Sequence, residues 1–293
     1  MFLRASLLAA VSVLFIPDLA IAQDSREVFR GEVPSGSWLR VRTMSGDIDV
    51  REGSGQTAVV VARRGGGSGE EPTFEVKRDG SSVTICAIYE GTTECDADRY
   101  ETRWRRDNRR QQSAHFTVQL PRGVKLLAST GNGDVEARGA TEQVTASSGN
   151  GEITVAGSGG RVRASSGNGD VEVTDAKGPV HASSGNGDII VGTTAGPVTA
   201  SSGNGRIRVR MDALVEEGNM NFSTGNGSIE LSLPANASAD IEANVGIRNF
   251  ETDFPMQLPG RWSSGRIEGK IGQGGRRIRM STGNGRITIK KIG

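Results

Sequence analysis

Four carboxylates recur at fixed intervals: Asp134, Glu152, Asp170 and Asp188 each follow a Gly-Asn-Gly tripeptide, and successive members lie 18 residues apart. On a periodic scaffold this spacing stacks them into one outward column. After later copies of the tripeptide the same place holds Arg206, Ser228 and Arg286, so the column turns basic toward the C-terminus. Paired carboxylates are what glycoside hydrolysis generally requires, and an enzyme acting on acidic polysaccharide would set them on such a face. The alternative is a row of solvated side chains that end turns. Neighbouring carboxylates about 5 Å apart repel by only about 1 kcal/mol in water, and no aromatic platform accompanies them, so the structural role is the expectation.

Calcium chemistry is weighed against the β-roll unit G-G-x-G-x-D-x-U-x. Here Asp170 is followed directly by Val171, only alternate half-repeats carry the tripeptide, and the other turn offers Lys177 or Gly196 rather than oxygen ligands. Calcium needs several oxygens from neighbouring turns, so no metal and no cofactor is expected. The two histidines, His115 and His181, lack the Ser/Asp or Cys/His spacing of a nucleophilic site, and no catalytic residue is assigned.

Segment 99–110 breaks the regularity, with six Arg among its twelve residues. Its Arg103, Trp104, Arg105, Arg106 and Arg109 are the candidate contacts for an anionic partner polymer; a solvated insertion is the plainer alternative. Cys86 and Cys95 are the two cysteines of the chain, nine residues apart. In an oxidising compartment they are expected to form a disulfide, contributing on the order of 2–3 kcal/mol through the unfolded state.

These residues need elements to hold them. The chain has 293 residues, of which 42 are Gly and 9 Pro, which is too little for collagen or for a disordered low-complexity chain. The glycine marks turns. The tripeptides Gly131-Asn132-Gly133, Gly149-Asn150-Gly151, Gly167-Asn168-Gly169, Gly185-Asn186-Gly187 and Gly203-Asn204-Gly205 share the 18-residue period and return at Gly225 and Gly283. Within it, Val144, Ile153, Val162, Val171, Val180, Ile189, Val198 and Ile207 are 9 apart, each followed two residues later by Ala or Val. Alternation of this kind marks short strands with one face inward. The fold class is therefore all-β: a single-stranded parallel β-helix, or β-solenoid, of about 18 residues per coil with Gly-Asn-Gly turns. Its lumen is filled by Val, Ile and Ala. The repeat serines are expected in the turns, Asn and Gly are expected to take positive φ there, and the asparagines are expected to stack into a hydrogen-bonding column.

The N-terminus reads as a secretory signal: Arg4, an apolar run over 5–16, Pro17, then Ala20-Ile21-Ala22 before a cleavage point at Gln23. Residues 1–22 are thus the signal peptide, 23–120 the opening β coils and cap with the disulfide hairpin and the Arg-rich insertion, and 121–293 the repetitive β-solenoid of the same continuous domain. With 35 basic and 34 acidic residues, no global attraction to nucleic acid arises. No later segment is apolar over a membrane-spanning length.

Several segments resemble the bacterial DUF4097 family, whose members are also described as adhesin-like or auto-transporter-adhesin-like head domains. They are Met44-Ser45-Gly46-Asp47-Ile48-Asp49-Val50, Phe116-Thr117-Val118-Gln119-Leu120-Pro121 leading to Ser129-Thr130-Gly131-Asn132-Gly133-Asp134-Val135, the Ser-Ser-Gly-Asn-Gly units, and Met280-Ser281-Thr282-Gly283-Asn284-Gly285-Arg286-Ile287. The similarity spans nearly all of 37–293. It implies a parallel β-solenoid on an exported protein and carries over no catalytic residue. The expected function is a non-catalytic surface or envelope interaction module, periplasmic or extracellular, whose partner is a cell-surface, glycan or envelope component. A polysaccharide-acting enzyme and a scaffold that self-associates end to end are the alternatives.

Overall fold

The computed structural model describes residues 25–65, 70–102, 112–193, 196–214, 218–245, 247–258 and 265–292. The expected signal peptide and the candidate residues Arg103, Trp104, Arg105, Arg106 and Arg109 lie outside them.

Each 18-residue repeat makes one longer and one shorter strand, for example Val144–Asn150 and Ile153–Ala156. Val144 and Ala146 on the first, and Ile153 and Val155 on the second, are fully buried; side chains between them face out. Burying a Val or Ile stabilises by about 1.5–3 kcal/mol, a gain that every repeat renews. Because the period is constant, the next repeat pairs in parallel with no slip: Val144 lies opposite Val162 and Asn150 opposite Asn168, and Ile153 opposite Val171. Among the described residues the longer strands join a 13-stranded sheet, the shorter a 12-stranded sheet, and a two-stranded ribbon stands apart. One apolar core contains side chains from both large sheets.

Two expectations about the turn are corrected. The serines at 148, 166, 184 and 202 are buried strand residues at a third inward position, not turn residues. Their hydroxyls donate to carbonyls of the preceding repeat, Ser148 to Gly133 O and Ser166 to Gly151 O, each at 2.8 Å. An inward-pointing carbonyl needs a donor, and Ser is small enough to supply one beside Ala. The asparagines also stay extended, since Asp175, at φ 54°, is the one non-glycine residue of positive φ among those described. The bend is carried by the glycine after Asn, with φ 147° at Gly133 and 148° at Gly169. The glycine before Asn has a different reason. A Cβ on Gly167 would stand 2.5 Å from Gly149 O of the repeat below.

The stack also takes in strands from the N-terminal part of the chain. Strands Trp38–Ser45 and Ile48–Glu52 form its first repeat and pair in register with Lys125–Asn132 and Val135–Arg138. Ser82–Ile88 and Ala114–Leu120 pair in parallel with that repeat, and antiparallel strands follow at the near end: Thr57–Arg64 between Ser25–Glu32 and Ala114–Leu120, and Thr73–Asp79 against Ser82–Ile88. The same happens at the far end. Met220–Asn226 stacks directly on Arg277–Asn284, while Ala239–Asn244 and its antiparallel neighbour Arg266–Ile271 extend the sheet beyond. There Phe254 is buried and Phe250 packs against the core. The outermost strands at the near end are Ser25–Glu32 and Thr73–Asp79, with 8 and 7 residues; at the far end they are Phe250–Thr252 and Met256–Gln257, with 3 and 2.

A β-branched side chain at Gly169 meets both the positive φ and Gly151 O. Gly169→Val is expected to destabilise by well over about 1 kcal/mol, read as a lower Tm in thermal unfolding; an unchanged Tm would contradict the packing described.

Candidate functional site

The acidic column runs along the Gly-Asn-Gly turn edge, and its three aspartates, unlike Glu152, are engaged with the backbone. Asp47 Oδ1 accepts the N–H of Asp134 at 2.9 Å, Asp134 Oδ1 that of Glu152 at 2.7 Å, Asp170 Oδ1 that of Asp188 at 2.7 Å, and Asp188 Oδ1 that of Arg206 at 2.7 Å. Each Asp thus satisfies a turn N–H one repeat further on. Beside it the asparagines form a second ladder, Asn150 Nδ2 donating to Asn132 Oδ1 at 2.8 Å. The pattern continues through Asn168, Asn186, Asn204, Asn226 and Asn284. These columns tie repeats together, which is mechanical work rather than chemistry on a substrate.

The first rung lacks a preceding turn. There His115 takes its place, its Nδ1 lying 3.2 Å from the Asp47 N–H and 3.0 Å from Asp47 Oδ2, with Ser113 Oγ at 3.1 Å from Nε2. Sequence spacing separated these three residues, and the strand pairing brings them together. Nδ1 accepts from the Asp47 N–H when it carries no proton and donates to Asp47 Oδ2 when it does, and in the first form His115 stands where a carboxylate stands in later repeats. His181, by contrast, is exposed in the column between Arg163 and Thr199.

Cys86 and Cys95 form a disulfide. It pins the ribbon of Thr92–Cys95 and Tyr100–Thr102 against the cap, where Lys77 Nζ donates to Cys95 O at 2.6 Å and the Tyr100 hydroxyl to Ala87 O at 2.7 Å. Burial pushes the Tyr100 phenol up to about 12.

Concave surface occurs where the repeat lapses. A groove of about 560 Å³ opens over the far-end strands Ala239–Asn244, Arg266–Ile271 and Arg277–Asn284, with Gln257 and Leu258 on one side. Its size falls in the range of ligand clefts. Glu242 lies at its base, with a side chain 18 % exposed; Oε1 meets Arg266 Nη2 at 3.1 Å and Oε2 accepts from Arg279 Nε at 3.0 Å. The hydrogen bond from Arg279 holds Glu242 below the usual carboxylate range, with the charges of Arg266 and Arg277 adding to it. A second cleft, of about 760 Å³, lies at the opposite ends of the strands, among the loops that follow Met211, Pro234 and Ile271. Among the described residues no cluster of His, Cys, Asp and Glu is arranged to hold a metal ion, and no helix is long and apolar enough to cross a membrane.

A family profile described as Toastrack DUF4097 matches residues 73–290, well over half of the chain. The chain belongs to the DUF4097 family. This DUF4097 chain is also similar to a solved candidate adhesin from Bacteroides fragilis, with a TM-score of 0.44 and 12 % identity over 92 % of this chain and 98 % of that one. A candidate cell adhesion protein from Clostridium sporogenes aligns at a TM-score of 0.24 and 10 % identity, over 92 % and 100 % of the two chains. No curated protein matches it. The groove residues of the DUF4097 chain were not singled out by their spacing. Arg266-Ile267-Glu268-Gly269-Lys270 and Arg277-Ile278-Arg279 alternate charge with Ile, which marks two strands with a charged outer face. Nothing in that alternation says that the two strands flank a third.

The ladder assignment makes Asp170 an acceptor, a role that an amide oxygen can also fill. Asp170→Asn is expected to leave Tm nearly unchanged, while Asp170→Ala loses the bond and about 1 kcal/mol or less; equal losses in both would contradict it. The raised Tyr100 pKa makes deprotonation costly in the folded state only. Its contribution is complete below about pH 10, the unfolded value, and is lost as pH rises toward about 12. Tyr100→Phe is expected to flatten that alkaline fall in urea-unfolding stability.

Proposed function

We propose that this chain is an exported, non-catalytic β-solenoid that serves as a surface or envelope interaction module, released from its signal peptide near Ala22. In this reading the two sheets are the walls of one tube, each 18-residue repeat is one coil, and the antiparallel strands at the two ends are caps that cover the coil edges. The carrying observation is the use of the repeat's polar groups. Inward positions are filled by Val, Ile, Ala and a carbonyl-bonded Ser, and the turn aspartates and asparagines are bonded from repeat to repeat. That leaves a rigid, elongated body whose recognition groups lie where the period lapses. The same observation speaks against the polysaccharide-cleaving alternative, since Asp170 and Asp188 each have an oxygen committed to a backbone N–H.

An adhesive module binds without turnover. The purified mature chain is expected to retain glycan or envelope components on a binding array and to leave the retained ligand chemically unchanged by mass spectrometry. Absence of binding to every component, or cleavage of the ligand, would sink the proposal.

A further inference from the structure

We propose that the far-end groove is a binding site for an acidic glycan of the uronate type, one that carries a single carboxylate per sugar and many hydroxyls. This rests on the interaction-module reading and names the partner class for it.

The groove owes its shape to a change of strand direction. Along most of the longer-strand sheet the outward side chains form columns of Ser and other residues between parallel neighbours, as at Ser129, Ser147, Ser165 and Ser183. At the far end the Arg266–Ile271 strand returns antiparallel, and Met256–Gln257 pairs beyond it. Directly opposed residues share a face, so two rows cross the groove: Lys270 and Arg277 on either side of Asp240, and Glu268 and Arg279 on either side of Glu242.

Glu242 acts as a bracket. One oxygen engages Arg266 and the other Arg279, so both guanidinium groups are held in place before any ligand arrives. Their side chains remain 52 % and 53 % exposed. Arg279 engages through Nε and Arg266 through Nη2, which also meets Glu268 at 2.6 Å. A guanidinium has five N–H groups in a planar fork that matches a carboxylate, so each arginine keeps donors for an incoming anion. Lys270 and Arg277 form no ion pair among the described residues, and they bring a second pair of cations to the same groove.

The mixture of charges selects the class of anion. Asp240 and Glu268 would repel a densely charged phosphate chain. Glu268, 51 % exposed, is a suitable acceptor for sugar hydroxyls, while the cations take the carboxylates. Leu258, 41 % exposed at the lip, offers an apolar surface for the C–H face of a sugar ring. A hydroxyl-rich chain with spaced carboxylates uses all of these groups.

The test is calorimetric titration of the mature chain with oligogalacturonate, and with its methyl-esterified form as the neutral control. Oligogalacturonate should bind and the ester should not. The double variant Lys270→Gln, Arg277→Gln, whose side chains carry no internal ion pair, should weaken binding by about tenfold or more with an unchanged Tm. Leu258→Ser should weaken it without altering charge. No binding of oligogalacturonate by the wild type, equal binding of the ester, or unaltered binding by both variants would overturn the site. Retention of some other component on the array would leave the module reading intact in that event.

Discussion

Each repeat built on Gly-Asn-Gly approaches the one before it so closely that one position can bear no side chain. A carbonyl of each Gly-Asn-Gly unit lies where the Cβ of the next would be, as Gly149 O does at Gly167. That approach is possible only while strands stay in register at hydrogen-bonding distance, and the constant 18-residue period keeps them there. Glycine costs backbone entropy in a strand. The cost is offset by what the close approach makes available: a Ser hydroxyl that reaches the previous turn's carbonyl, an amide that reaches the previous amide, and a carboxylate that reaches the next turn's N–H.

These ladders divide the molecule into a part that holds and a part that is available to others. In the regular repeats the turn groups answer to one another. Where the register is handed to an antiparallel strand, the ladders stop and charged side chains gather without a periodic partner, as Lys270 and Arg277 do. Rigidity in the middle and recognition at an irregular end are thus two outcomes of one packing rule.

The alternation of Val, Ile and Ala at intervals of nine was legible as buried strand faces, because burial imposes a period on apolar residues. The acidic column was legible as outward, since strand parity decides direction. Its ladder role was not, because the acceptor's partner is a backbone N–H that has no letter in the sequence. For the same reason Ser148 and Ser166 read as turn residues: a buried hydroxyl that serves a neighbouring carbonyl looks like any polar residue near glycine. Long-range returns were illegible too. Leu39 lies beside Leu126, and Met220 beside Ile278, contacts that skip an entire insertion and leave no period behind. The groove depends on such a return, which is why its arginines drew no attention as a set.

The two ends of the stack differ in how much open strand they present. Among the described residues the outermost strands run to 8 and 7 residues at one end and to 3 and 2 at the other. A strand edge is a template for another chain, and the strands that end the two sheets differ in the length of template they would offer, one end long and the other nearly blank. A fibre needs both termini to be competent, because each unit must pass the contact on. Two copies meeting template to template close about a twofold axis instead, and leave only blank ends outward. Unequal end strands therefore favour a closed pair over an open stack, whereas the internal repeats taken alone would favour the open one.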